Sequence, residues 1–357
     1  MMHSPLRFLP SILTHRPPIH LTLFVTRRCN AKCPFCFYSA GKASDGELSL
    51  QEYRRISESM GSLLWLAFSG GEPILMDDLI DIANVFYNNN RPSIMLIPTN
   101  GLMPSRTRVM VEQILKDCPH STIAVKLSID GPGDLHDRLR GTAGAFDRTM
   151  ETYELLAPLL GQFRNFELGV NTVFCAENQE LMDDIIDLVA GMKDIRTHTI
   201  SLARGQTREQ SEGEIELDRY LKASQRLAGG LREGSQPSYS FRGARLKAAQ
   251  DIIQRRLIHK TAANNRRQIE CYAGRLNLVI TETGELYPCE SFLDEHRLGN
   301  VRENNFDIKG MLKSEGAQHL IERIGRHCFC THECYLMTNI LFNPRLYPEL
   351  LREYLSL

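Results

Sequence analysis

The sequence predicts an α/β protein: an open, partial (β/α)6 TIM-like barrel followed by a small cysteine-rich C-terminal domain. Three observations predict it. Six short runs rich in Val, Ile, Leu and Thr alternate with helical patterns between residues 21 and 204. The stretch 205–265 is charged and reads as helix without strands. Eight of the ten cysteines fall in two tight groups, 29–36 and 271–334.

The strands are expected at Leu21–Val25, Leu63–Ser69, Ser93–Thr99, Thr122–Ile129, Phe166–Phe174 and Arg196–Ala203. Gly, Pro, Asn or Asp bounds each of them. Helices are expected at 49–60, 77–90, 105–118, 146–160 and 179–192. Ser49 with Glu52 three residues on forms a capping-box signature, and Asp77 and Ser105 are similar starts. Consecutive βα units imply a parallel sheet with right-handed crossovers. Six strands are too few to close a full barrel, and reactive residues belong at the carboxyl ends of the strands.

Residues 1–20 form an N-terminal extension whose leucines are expected to pack on the barrel, and 21–204 form the barrel. A helical connection follows at 205–265, with a breaker stretch at 233–243. Region 266–340 holds five cysteines, a hairpin in NLVITETGELYPC and little else, and 341–357 is a tail.

Composition excludes several classes. A formal net charge of −1 gives no broad field for nucleic acid. No run of about 18 apolar residues predicts a membrane span. The N-terminus lacks the continuous apolar stretch and cleavage site of a signal peptide. Clustered cysteines in a long chain of this kind favour metal ligation in a reducing cytoplasm over a disulfide scaffold. Cys118 and Cys175, outside both groups, read as ordinary buried thiols.

The first group, TRRCNAKCPFCFY, follows the first strand with spacing Cys29-x3-Cys33-x2-Cys36. A four-iron cluster normally takes four thiolates, so three leave one iron open to a small molecule. A structural zinc site with a distant fourth ligand is the alternative. Phe35, Phe37 and Tyr38 would shield a cluster or belong to the core.

The CxxxCxxC loop resembles the signature of the radical S-adenosylmethionine (SAM) superfamily. Ser69-Gly70-Gly71-Glu72-Pro73 at the end of the second strand resembles the family's GGEP motif. Thr99-Asn100-Gly101 and Ser128-Ile129-Asp130-Gly131 look like further family motifs. The resemblance implies a SAM-cleaving [4Fe-4S] cluster on Cys29, Cys33 and Cys36. It also implies SAM contacts from Phe35, Gly70, Gly71, Glu72, Asn100, Ser128 and Arg140. Glu72 would accept a hydrogen bond from the SAM amino group, and Arg140 would pair with its carboxylate or form a surface ion pair. The roles of Asn171, Thr172 and Arg204 stay open.

Cys271-x12-Gly284-x4-Cys289 resembles the start of SPASM/Twitch domains, with Cys328-x-Cys330-x3-Cys334 following. Five cysteines, fewer than a full SPASM domain carries, imply one auxiliary [4Fe-4S] cluster. Its expected ligands are Cys271, Cys289, Cys330 and Cys334, with Cys328 as an alternative to Cys330. A zinc knuckle assisted by His327 or His332 is the other reading.

The expected reaction is SAM cleavage and hydrogen abstraction, ending in oxidation or bond formation on a small molecule or peptide. The electron donor would resemble flavodoxin or ferredoxin. A peptide or protein maturase is the enzymatic alternative, and a non-catalytic iron–sulfur or zinc regulator is the alternative of another class. The sequence names no general base; Asp130, His136, Asp137 and Arg204 are candidates only by their place at strand ends.

Overall fold

The structure, a computed structural model, describes residues 3–38, 46–204, 214–241, 243–290, 292 and 294–357. A one-turn helix α1 (Ser11–Thr14) precedes strand β1 (His20–Thr26) and helix α2 (Leu50–Ser59). Strand β2 (Trp65–Gly70), α3 (Leu79–Asn90), β3 (Ile94–Thr99), α4 (Pro104–Asp117) and β4 (Thr122–Ser128) follow. Next come α5 (Gly133–Arg140), α6 (Ala145–Leu156), α7 (Leu159–Gln162), β5 (Phe166–Phe174), α8 (Met182–Ala190) and β6 (Thr197–Leu202). Two long helices, α9 (Leu217–Glu233) and α10 (Ala244–Asn264), lead to β7 (Asn277–Ile280), β8 (Glu285–Tyr287) and β9 (Gly299–Asn300). Helices α11 (Ile308–Lys313), α12 (Glu315–His327), α13 (Glu333–Leu341) and α14 (Tyr347–Ser356) end the chain.

All six predicted strands form, and they pair in parallel in the order β6-β5-β4-β3-β2-β1. The predicted capping box is present, with the Glu52 carboxylate accepting from the Ser49 backbone at 2.8 Å. The helix expected over 146–160 is broken instead. Pro158 cannot donate a backbone hydrogen bond, so α6 stops at Leu156 and a new turn begins as α7. Of the 205–265 connection, residues 205–213 and 242 lie outside the described residues. Its breaker stretch separates α9 from α10, with Gly234 at φ 72° closing α9.

The C-terminal region departs further from expectation. It carries four helices as well as the predicted β7–β8 hairpin. That hairpin joins the barrel sheet: β7 runs parallel to β1, with Leu21 opposite Leu278 and Leu23 opposite Ile280. The sheet therefore has nine strands, and its largest core cluster contains Leu278 and Ile280 beside Leu21, Leu23 and Phe68. At the N-terminus, Phe8 rather than the leucines packs inward, against Ile19, Leu64 and Tyr272. Leu6, Leu9 and Leu13 are exposed.

Side chains along a strand alternate between faces, and here the two faces differ in kind. Ile123, Val125 and Leu127 of β4 enter the core under the helices. Ala124, Lys126 and Ser128 face the barrel lumen. In β5, Leu168 and Val170 pack outward, while Glu167, Gly169 and Asn171 face in. In these two strands the named inward residues are small or polar, which leaves room in the lumen. On its unstranded side, Lys247, Asp251, Gln254 and Arg255 of α10 supply the wall. Among the described residues, no helix is long and apolar enough to cross a membrane.

The shared sheet predicts that Ile280→Ala, which opens a cavity at a fully buried position, costs about 2–5 kcal/mol. Hydrogen exchange should speed up at β1 as well as at β7. A change confined to residues beyond 265 would show that the two parts unfold separately.

Candidate functional site

Cys29, Cys33 and Cys36 follow β1 at its carboxyl end and sit at one end of a cavity of about 390 Å³. The loop is anchored by the turn after β2. Gly71 and Glu72 donate their backbone N–H groups to the carbonyls of Thr26 and Arg28, each at 2.8 Å. A Cβ at residue 70 would lie 2.2 Å from the Thr26 carbonyl oxygen, and one at residue 71 would lie 2.2 Å from that of Arg28. Gly70 also holds φ at 129°. The close approach these glycines permit is therefore to the cysteine loop's own backbone, and both also line the cavity.

Glu72 is buried, and its two oxygens accept the N–H groups of Asn100 at 2.7 Å and Ile74 at 3.2 Å. A carboxylate oxygen accepts more than one bond, so capacity for a ligand remains. Burial raises the Glu72 carboxyl to about 7, against the opposing pull of the Asn100 N–H. Asn100 bridges onward: its Nδ2 lies 2.7 Å from Asn30 Oδ1 and 3.9 Å from Cys29 Sγ.

Arg140 does not form a surface ion pair. It is buried, 2.5 Å from Asp130 Oδ2, with Nη1 3.7 Å from Cys33 Sγ and its guanidinium 5.7 Å from the Phe35 ring centroid. Asp130 also accepts from the Val173 N–H at 2.8 Å. His136 Nδ1 accepts from the Asp130 N–H at 3.1 Å, and Asp137 accepts from Gly144 and Phe146. Asp130, His136 and Asp137 are thus spent on holding the β4 and α5 ends, and none of them lines the cavity. Thr172 likewise faces away, donating to the Ile129 carbonyl at 2.6 Å. Ser128, Asn171 and Arg204 do reach the cavity.

The groups approaching the three sulfurs include hydrogen-bond donors: Ala31 N–H and Asn100 Nδ2 at Cys29, and Arg140 at Cys33. Donors stabilise thiolates and the net negative charge of a cluster. Burial, followed by neighbouring charges, holds the free Cys29 thiol up at about 11. Such a thiol needs a bound metal to ionise at neutral pH. The donor set fits a cluster with three protein thiolates.

The second cysteine group gathers under the hairpin. Cys271, Cys289, Cys328 and Cys334 pack with Val279, Tyr287, Ile324 and Tyr335. Cys330 has Cys271 and Cys289 as electrostatic neighbours, and Cys328 has Cys330 and Cys271. Cys334 instead faces Glu290, Arg204 and Glu333, and it lines the main cavity. Burial pushes Cys330 and Cys334 each up to about 12. Among the described residues, no three His, Cys, Asp or Glu side chains converge on the position of a single ion. His332, offered as a zinc ligand by sequence, is engaged elsewhere: its Nε2 accepts from Arg204 Nε at 2.9 Å. Cys118 and Cys175 are buried, Cys175 packing with Leu135, Leu139 and Phe35.

Sequence reasoning missed the polar knot between the two cysteine groups. Arg204 bonds Glu333 at 3.0 Å and Glu290 at 3.1 Å, stacking 4.9 Å from the Phe37 ring centroid. Burial raises both carboxyls, and Arg204 partly opposes it. The place of Glu290 and Glu333 beside Cys289 and Cys334 was the available signal. It missed Lys126 and Glu167 too, although the polar alternation of β4 and β5 marks them.

The model of the radical SAM superfamily matches residues 23–189, and that of the SPASM iron–sulfur cluster-binding domain matches residues 271–335. The chain thus carries a radical SAM domain followed by a C-terminal SPASM domain. Together the two domains imply a SAM-binding [4Fe-4S] cluster and auxiliary iron–sulfur binding.

Similar proteins include the antilisterial bacteriocin subtilosin biosynthesis protein AlbA of Bacillus subtilis. It is 22% identical over 87% of this chain, which spans only 64% of AlbA's length. The AdoMet-dependent heme synthase of Methanosarcina barkeri is 26% identical over 79% of each chain. Mycofactocin maturase MftC of Mycobacterium tuberculosis is 25% identical over 80% of this chain and 68% of its own. Among solved structures, anSMEcpe with bound AdoMet superposes with a TM-score of 0.62 at 17% identity, covering 96% of each chain. Streptococcus suis SuiB bound to S-adenosylmethionine gives a TM-score of 0.62 at 15% identity, covering 88% of this chain and 71% of its own. These two likenesses show a shared fold.

Removing Arg204 tests the buried knot. Arg204→Met leaves two buried carboxylates without their cation and is expected to lower stability by about 3–5 kcal/mol. Adding Glu333→Gln should recover part of that loss in thermal denaturation at equal iron content.

Proposed function

We propose that this chain is a radical SAM enzyme that cleaves SAM reductively and takes a hydrogen atom from a substrate held in the barrel lumen. The observation that carries the reading is the convergence of the three-thiol loop, the Gly70–Glu72 turn and Arg140 on one end of that lumen. When bound, a SAM-ligating [4Fe-4S] cluster supplies the 5′-deoxyadenosyl radical that abstracts hydrogen from an unreactive C–H bond.

The chain's own residues then have distinct tasks. Cys29, Cys33 and Cys36 hold the cluster, and Arg140 and the Ala31 N–H offset its negative charge. Glu72 and Asn100 present polar groups to SAM, with Gly70 and Gly71 fixing the turn they stand on. Ser128 extends that polar wall, and Phe35 closes it against water. In the second group, Cys271, Cys289 and Cys330 are three auxiliary ligands. Cys328 and Cys334 compete for the fourth position, Cys328 standing among the other thiols and Cys334 facing the cavity.

The substrate is a small molecule or a peptide, with net oxidation or bond formation as the outcome: a bacteriocin biosynthesis protein and a maturase among the relatives favour the second, and a heme synthase favours the first. A flavodoxin- or ferredoxin-type donor would supply electrons. A reducing cytoplasm fits ten cysteines that form no disulfide among the described residues.

Anaerobic reconstitution, reduction with dithionite and addition of SAM should yield 5′-deoxyadenosine. The triple variant Cys29→Ala, Cys33→Ala, Cys36→Ala should abolish it and lower bound iron. Cys271→Ala should lower iron yet leave 5′-deoxyadenosine formation within about tenfold of wild type. A reconstituted wild type that releases no 5′-deoxyadenosine would favour a non-catalytic metal-binding protein.

A further inference from the structure

The inner half of the lumen holds charged side chains that neither cysteine group uses. Lys126 of β4 stands on the same inward face as Ser128, two residues deeper. In register it neighbours Gly169 of β5, which in turn neighbours Thr197 of β6. Lys126 Nζ reaches across Gly169 and donates to the Thr197 hydroxyl. A Cβ at residue 169 would lie 2.3 Å from Thr197 Oγ1 and 2.7 Å from Lys126 Nζ. Gly169 is not among the glycines with positive φ, so what it supplies is room for the ammonium group.

The charges at this end do not balance internally. Lys247 pairs with Asp251, which also accepts from the Tyr239 hydroxyl at 2.9 Å. Glu167 Oε1 accepts from the backbone and the hydroxyl of Ser240, at 3.0 and 2.6 Å. Arg255 Nη2 donates to the His198 carbonyl at 3.3 Å, whereas its Nη1 is buried without a partner. Glu167 Oε2 is buried and unpartnered too. Two cations, Lys126 and Arg255, thus face the cavity with Glu167 as the one carboxylate outside the Lys247–Asp251 pair among these residues. Burial lowers the Lys126 ammonium to about 7, as befits a buried cation short of counter-charge.

We propose that this inner end of the lumen is a subsite for a carboxylate of the substrate, held by Lys126 and Arg255. Buried cationic donors that have only neutral hydrogen-bond acceptors are stabilised most by an anionic one. An N–H or O–H next to that carboxylate meets Glu167 Oε2, a pattern found at the C-terminal end of a peptide. The subsite rests on the reading of the lumen as the substrate chamber. It would fix the reacting C–H bond above it, nearer the cysteine loop.

The probe is N-trifluoroacetylglycine, which carries a carboxylate, an adjacent amide N–H and a fluorine reporter. Its affinity for the reconstituted full-length protein is read by fluorine NMR line broadening. The acid should bind saturably and about tenfold or more tighter than N-trifluoroacetylglycinamide. Lys126→Met and Arg255→Met should each weaken the acid about tenfold and leave the amide unchanged. Gly169→Ala, which displaces the Lys126 ammonium, should weaken it as well.

Equal binding of acid and amide, absence of saturable binding, or wild-type affinity in the two Met variants overturns the proposal. The acid–amide comparison needs only wild-type protein, so a variant that fails to fold does not blunt it. The same preparations are assayed for 5′-deoxyadenosine. Acid binding without that product sinks the radical reading alone, and product without acid selectivity sinks the subsite alone.

Discussion

Two backbone hydrogen bonds, from Gly71 and Glu72 to the carbonyls of Thr26 and Arg28, splice the end of β2 onto the chain leaving β1. The direction of the cysteine loop, and hence of everything above the barrel, follows from that splice. It forms only because residues 70 and 71 lack a Cβ, which would otherwise strike carbonyl oxygens at 2.2 Å. Glu72, next in line, is carried into a buried position where it caps Asn100, and Asn100 reaches back to Asn30 and Cys29. One turn thus orients the sulfurs, a carboxylate and an amide together.

Below that rim, the barrel is kept open by the choice of inward residues. Alternation assigns Ile, Val and Leu to the helix-covered face, where their burial drives folding. On the lumen face β4, β5 and β6 supply mostly Ala, Gly, Ser, Thr and a few charged groups, which cannot fill it, while Trp65, Ile94 and Leu96 line the side of β2 and β3. A closed eight-stranded barrel packs its interior with bulky side chains. Here six strands plus α10 enclose a chamber instead. The charged groups are costly to bury unless partnered, so their survival in the wall points to a partner that the protein alone does not supply.

Arg204 marks the junction of the two halves. It follows β6, yet its partners Glu290, His332 and Glu333 all belong to the C-terminal region. A buried cation shared by two carboxylates is worth little as net stabilisation but is strongly orienting, because any one member left alone is unfavourable. Together with the β1–β7 ladder, it sets Cys334 of the second group against the same cavity as the first group.

The sequence by itself determined the six parallel strands, the Ser49 cap, the three-thiol loop and the Gly70–Glu72 turn. Each is a local signal: hydrophobic period, a capping pair, cysteine spacing, glycines at a strand end. It misjudged what depends on contacts between distant residues. Arg140 in DRLRG reads as either a SAM contact or a surface ion pair, and tertiary packing rules out the second by burying it between Asp130 and Cys33. Asp130 follows β4, but His136 and Asp137 lie within α5 rather than at a strand end, and all three are consumed by hydrogen bonds that hold these elements. The sequence places the 271–289 hairpin near cysteines, whereas only the fold reveals it as an added strand of the barrel sheet. Lys126, Gly169 and Thr197 lie far apart in the chain, and none forms a motif with its neighbours. Strand register alone brings them side by side, because cross-strand pairing is set by the packing of the whole sheet.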